Sequence, residues 1–161
     1  MTATDAELAC PRCGQALGSA ELRQVPVQVC KTCKGTLLGQ IDLQRTLEGL
    51  SAPLLMNFDP DAKIEAVKDA SGRLPCPKCN QAMDRDDYCQ AGVVFFDRCA
   101  RCALLWFDTD ELGAMALMWA RMNARAAALR FHNPAGPGFL VMDRTHLGHS
   151  VWDCLVFHSV W

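Results

Sequence analysis

The cysteines of this chain come in pairs, and the pairs themselves come in twos. Eight of the ten cysteines stand as Cys-x-x-Cys: Cys10/Cys13 with Cys30/Cys33, then Cys76/Cys79 with Cys99/Cys102. The stretches between pairs, residues 14–29 and 80–98, both fit the C-x2-C-x15-20-C-x2-C spacing of a tetrahedral zinc site. Two residues between thiolates let one tight turn present both sulfurs to one ion, and a hairpin in the intervening stretch brings the second pair to the same point. A four-sulfur site keeps no open position for water or substrate, so it reads as structural. Two zinc ions are therefore expected, one held by Cys10, Cys13, Cys30 and Cys33 and the other by Cys76, Cys79, Cys99 and Cys102.

Size strengthens that reading. The chain has 161 residues, and each cysteine set spans only a few tens of them. Pieces below about 40 residues rarely bury enough apolar surface to fold unaided. Structural zinc supplies about 10–16 kcal/mol of apparent binding free energy, which becomes folding free energy when the unfolded chain has no site. Disulfides are the rival use of paired cysteines, but they belong to oxidising compartments. The N-terminus shows no basic start followed by an apolar core and a cleavage site, and no run of about 18 apolar residues occurs. A soluble, cytoplasmic protein without a membrane span is expected.

The two sets are an internal repeat. Leu8 to Leu17 matches Leu74 to Met83 nearly position for position, each with Cys-Pro-basic-Cys followed by Gly14 or Asn80, residues that readily adopt a left-handed turn. Cys30 to Leu38 likewise matches Cys99 to Phe107, and Ile41-Asp42-Leu43 falls opposite Asp110-Glu111-Leu112. Between the knuckles of the first copy, Val25, Val27 and Val29 alternate with polar positions and Pro26, which predicts a strand with an edge at the proline. In the second copy, residues 86–89 and 93–96 read as strands around a turn at Gln90-Ala91-Gly92. Each copy is thus knuckle, hairpin, knuckle.

Helices are expected after both copies. Leu43, Leu47 and Leu50 form a short apolar stripe that should stop near Pro53. Asp108 and Glu111 have capping-box spacing, with Asp as the cap, and Leu112, Met115, Trp119, Met122, Ala126 and Leu129 share a helical face. The proline- and glycine-rich stretch from His132 ends that helix. Residues 51–73 read as a linker, with a short helix that Asp59 and Pro60 would open.

Taken together, these residues resemble the bacterial transcription-factor zinc-finger family, ribbons named for likeness to that of transcription factor IIB. The family pattern is Cys-Pro-x-Cys, a hairpin, Cys-x-x-Cys-Gly-Gly, a large apolar residue, Leu, Asp, and Glu-Leu opening a helix. The second copy carries it through Cys76, Cys79, Cys99, Cys102, Trp106, Phe107, Asp108, Glu111 and Leu112, but has Ala103 and Leu104 in place of the glycines. The first copy keeps Cys10, Cys13, Cys30, Cys33, Gly35, Leu37, Leu38 and Leu43, with Gly39 where the family has Asp. The resemblance covers roughly residues 8–50 and 74–115 and implies zinc-binding modules of mostly unassigned role.

The expected architecture is a small metal-stabilised α+β fold of two tandem zinc ribbons, each followed by a helix. Its parts are a first ribbon with a short helix (8–50), a linker (51–73), a second ribbon with a long amphipathic helix (74–131), and a C-terminal extension with a strand-like end (132–161). Net charge is −2, and residues 51–113 hold eleven acidic against seven basic side chains. Phosphate binding wants a clustered basic surface, so a nucleic-acid or transcription-associated role stands as the alternative to the favoured one, a non-enzymatic protein-interaction or scaffold module. The stacking candidates Tyr88, Phe95, Phe96, Trp106 and Phe107 lie among aspartates, which favours packing. Met115, Met118, Trp119 and Met122 are the candidate surface for a protein partner or a homo-oligomer, since ribbons are thin and methionine faces adapt to varied shapes. The C-terminal strand is the other candidate for self-association. A redox-sensitive zinc switch is the second alternative, since clustered thiolates oxidise readily. Cys89 and Cys154 read as small buried core residues. His146, His149, Cys154 and His158 offer ligand types for a third metal but follow no ribbon spacing. No catalytic constellation and no organic cofactor site is evident.

Overall fold

The computed structural model describes residues 8–55 and 72–131. The inferred opening of a helix at Asp59 and Pro60, the C-terminal strand, Cys154 and the three histidines near it lie outside the described residues. Among the described residues, six strands and two α-helices follow one another as β1 (Gly18–Leu22), β2 (Val25–Val29), β3 (Thr36–Gly39), α1 (Leu43–Leu55), β4 (Asp84–Asp87), β5 (Phe95–Cys99), β6 (Leu104–Phe107) and α2 (Glu111–Phe131).

In the first hairpin, Arg23 and Gln24 both take positive φ, 52° and 66°, the backbone of a two-residue turn whose twist suits the flanking strands. Pro26 lies opposite Glu21. β2 is an interior strand, but β3 reaches only Gln28 and Val29 of it, so the proline sits at a local edge where its missing N–H leaves no bond unmade. The second hairpin differs from expectation. β4 ends at Asp87 and β5 begins at Phe95, because Cys89 and Gln90 turn left-handed at φ 57° and 52°. The Asp87 carboxylate accepts the Gly92 N–H at 2.9 and 3.1 Å, which closes the wider loop.

All strands belong to one antiparallel sheet in the order β1-β2-β3-β6-β5-β4. Under the sequence repeat, β1, β2 and β3 correspond to β4, β5 and β6, so this order reads the same from both ends. The hairpin registers agree as well: Ser19 pairs with Gln28, and their counterparts Arg85 and Asp97 pair in turn. At the centre Leu37 lies opposite Trp106, its own counterpart. The copies are therefore related by a pseudo-twofold axis through the β3–β6 seam. Expected as consecutive domains, they share a single sheet instead.

Strand alternation then sorts the core. On one face, Leu38, Phe96, Leu105 and Phe107 pack with Leu43 and Leu47 of α1 and with Leu112, Met115, Met118 and Trp119 of α2; Phe96 and Phe107 stack at 5.5 Å. On the other face, Leu37 and Trp106 pack between the two cysteine sets. Burying one large apolar side chain contributes about 1.5–3 kcal/mol, so the helix layer stabilises both copies together.

α1 is described as far as Leu55, two residues past Pro53, close to the expected stop. One helix expectation is corrected. The methionine face of α2 is not an open surface. Met115, Met118 and Trp119 are 0%, 9% and 6% exposed, because the sheet of both copies and α1 supply the cover that a lone ribbon lacks. Met122 is half-buried, its Sδ 3.8 Å from Cys89 Sγ. Cys89 is likewise half-buried beside the core rather than within it.

Candidate metal centres

Each quartet is built by two knuckles, and all four knuckles share one device. The residue after the second cysteine turns left-handed: Gly14 at φ 73°, Lys34 at 60°, Asn80 at 58° and Ala103 at 50°. In three of them its N–H returns to the carbonyl of the first cysteine, from Gly14 to Cys10 at 2.9 Å, Lys34 to Cys30 at 3.0 Å and Asn80 to Cys76 at 2.8 Å. The turn brings both thiols toward a common point. Gly14 and Asn80 take the left-handed turn at little cost. Lys34 and Ala103 carry the same geometry without that advantage, so tertiary structure holds them there.

Cys10, Cys13, Cys30 and Cys33 bring their sulfurs within 4.8 Å of one another, and so do Cys76, Cys79, Cys99 and Cys102. Crossed pairing between the copies is thereby excluded. The sulfur–sulfur separations are 3.5 Å for Cys10–Cys33, 3.5 Å for Cys13–Cys30 and 3.7 Å for Cys79–Cys99. Four sulfurs arranged tetrahedrally about zinc, with Zn–S near 2.3 Å, stand about 3.8 Å apart. None of the eight is in a disulfide. Both clusters fit a zinc ion.

Without a cation the thiols are pulled in opposite directions. Burial pushes Cys10 and Cys102 up to about 12. The Cys33 N–H draws Cys30 down to about 6, and the Gln81 N–H draws Cys79 down to about 7. Such a quartet cannot ionise fully by itself; a bound divalent cation deprotonates coordinating thiols outright.

Around the quartets lies a polar frame that reading the sequence missed. Asp97 and Glu111 are buried, and Arg85 bridges them at 2.8 and 3.0 Å. Glu111 also accepts the Asp108 N–H at 2.8 Å, the reciprocal half of the expected capping box. The Asp108 carboxylate takes the Trp106 Nε1–H at 2.9 Å and pairs with Arg12 of the first copy. The available signal was opposite charge at Arg85 and Asp97, usable only once the hairpin register is known.

Residues 9–49 match the family model described as transcription factor zinc-finger, the TFIIB-type zinc ribbon. Over that stretch the first copy is similar to the zinc ribbon of that family. The match falls on the copy that keeps Gly35 after its second knuckle, and the second quartet at 76–102 is consistent with a tandem ribbon. No match to the chain is found among curated proteins or among solved structures. Zinc ribbons of this family are typically not catalytic. Among the described residues, no helix is long and apolar enough to cross a membrane.

Proposed function

We propose that this chain is a non-enzymatic zinc-binding module whose two ribbons form one rigid platform for a protein partner in a reducing compartment such as the cytoplasm. The observation that carries this reading is the pair of closed four-sulfur sites set into one continuous sheet. Coordination by Cys10, Cys13, Cys30 and Cys33, and by Cys76, Cys79, Cys99 and Cys102, saturates each ion, so the metal supplies architecture and no reacting position. Tyr88, Phe96, Trp106 and Phe107 are buried and offer no face on which bases could stack. The outer strand β4 carries Asp84, Asp86 and Asp87, which disfavours phosphate along that edge.

The test measures binding of the zinc-loaded chain to a random-sequence DNA duplex and to RNA at low salt, alongside sedimentation of the chain alone. Absence of nucleic-acid binding supports the interaction module. Affinity that falls steeply with salt would favour the nucleic-acid reading. A concentration-dependent dimer would make a second copy the partner.

A further inference from the structure

The two quartets do not stand apart, and the contacts between them run both ways across the seam. Thr109, just past β6 of the second copy, donates its hydroxyl to the carbonyl of Cys33 in the first quartet. Gln40, just past β3 of the first copy, donates its N–H at 2.8 Å to the carbonyl of Ala103, next to Cys102 of the second. Trp106 lies so close over Gly35 that a Cβ there would sit 2.2 Å from the ring. Arg12, between Cys10 and Cys13, pairs with Asp108 of the second copy. Cys10, Cys30, Cys76 and Cys99 all belong to one buried cluster, with Leu17, Leu37, Leu74, Met83 and Trp106.

A cluster with so few hydrocarbon side chains cannot stay ordered when half of its wall is lost, because small cores depend on their metals. Releasing one ion frees two knuckles, and each second knuckle is gripped by the other copy. From this, and resting on the zinc reading above, we propose that the two zinc sites are one thermodynamic unit: occupation of either raises the affinity of the other, and loss of one releases both. The device converts removal of a single ion into collapse of the whole platform.

Native mass spectrometry of the full chain at half-saturating zinc tests this. Two equal, independent sites leave about half of the molecules with one ion, whereas coupling of about tenfold, within the usual range for linked sites, lowers that share to about a quarter. A share of one-zinc chain at half or above overturns the proposal while leaving the zinc reading intact; a chain that takes up no zinc overturns both. In a second measurement, Cys13→Ser, which removes an exposed ligand of the first quartet, is titrated with cobalt(II), and thiolate charge-transfer absorption reports the second quartet. Weakening of that site by tenfold or more, including complete loss, supports coupling, and unchanged affinity rejects it. Thr109→Ala combined with Asp108→Asn keeps all eight ligands and is expected to raise the one-zinc share toward half. An unmoved share would show that the seam contacts do not carry the coupling and would overturn this account of it.

Discussion

The two ribbons share strand register and knuckle geometry but fill the same positions with different chemistry. Where the first copy has Ser19 and Gln28, joined by a hydrogen bond of 3.0 Å at the surface, the second has Arg85 and Asp97 buried, with Glu111 on the other side of the guanidinium. Where the first has Gly39, the second has Asp108, which reaches back to Arg12. Where the first has Leu37, the second has Trp106, whose ring lies against Gly35. The fold therefore depends on what the copies have in common, the quartets and the apolar strand centres. Their differences give the second copy an anchoring role, since its larger and charged side chains reach across the seam into the first.

Metal removal should erase the comparison altogether. Stripping zinc with a strong chelator at neutral pH is expected to cost on the order of 10 kcal/mol per site, enough to abolish the near-ultraviolet circular dichroism of both copies at once. Retention of that signal by a verified metal-free chain would mean that packing alone holds the sheet.

The polar frame provides the next largest contrast. Arg85→Ala leaves Asp97 and Glu111 buried without their cation, and breaking a buried pair from one side costs about 3–5 kcal/mol. Ser19→Ala, at the counterpart position, removes an exposed hydrogen bond and should stay within about 0.5 kcal/mol. Denaturant unfolding of the two zinc-saturated variants measures both, and similar losses would contradict the asymmetry.

Gly35 sharpens the comparison at the seam. Gly35→Ala drives a methyl into the Trp106 ring, and overpacking of this kind costs about 1–3 kcal/mol. Trp106→Leu installs the first copy's residue type at that position and should relieve the clash. The double variant is then expected to be more stable than the two single losses predict, a coupling that a double-mutant cycle reads directly. Additive losses would show that the ring can move aside.

What could be read from the sequence follows from how local each signal is. The quartets were legible because each pair of ligands comes from one turn, and the repeat assigned the turns to two sets. α2 was legible through the spacing of Leu112, Met115 and Trp119 and through Glu111, which makes its bond back to the Asp108 backbone. The seam was not, since Thr36–Gly39 and Leu104–Phe107 are short runs without clear alternation, and periodicity alone leaves such runs ambiguous. Without the seam, the cover over Met115, Met118 and Trp119 could not be foreseen, and an apolar helix face read as surface. The Arg85 frame was hidden for a related reason: the strands of the second hairpin begin and end away from where Tyr88, Cys89 and Val93 suggested, so the charges that oppose one another were misaligned.

The last contrast concerns Glu111, whose counterpart Asp42 is only half-buried. Burial raises the Glu111 carboxyl to about 7, against the downward pull of the Asp108 N–H and of Arg85. A carboxyl whose pKa is higher folded than unfolded binds its proton more tightly in the native state. Its contribution is therefore fully present below the unfolded value near 4.5 and is lost as pH rises to about 7. Glu111→Gln cannot titrate but keeps the shape and one acceptor. Because both proteins carry the same eight cysteines, proton competition for zinc cancels when they are compared at equal pH. The stability of the native chain relative to this variant should fall between pH 5.5 and pH 7 and level off above it, as measured by denaturant unfolding in excess zinc over about pH 5.5–8. A difference that stays flat, or that grows with pH, would mean that Arg85 holds Glu111 ionised throughout and that the frame of the second ribbon is a fully charged one.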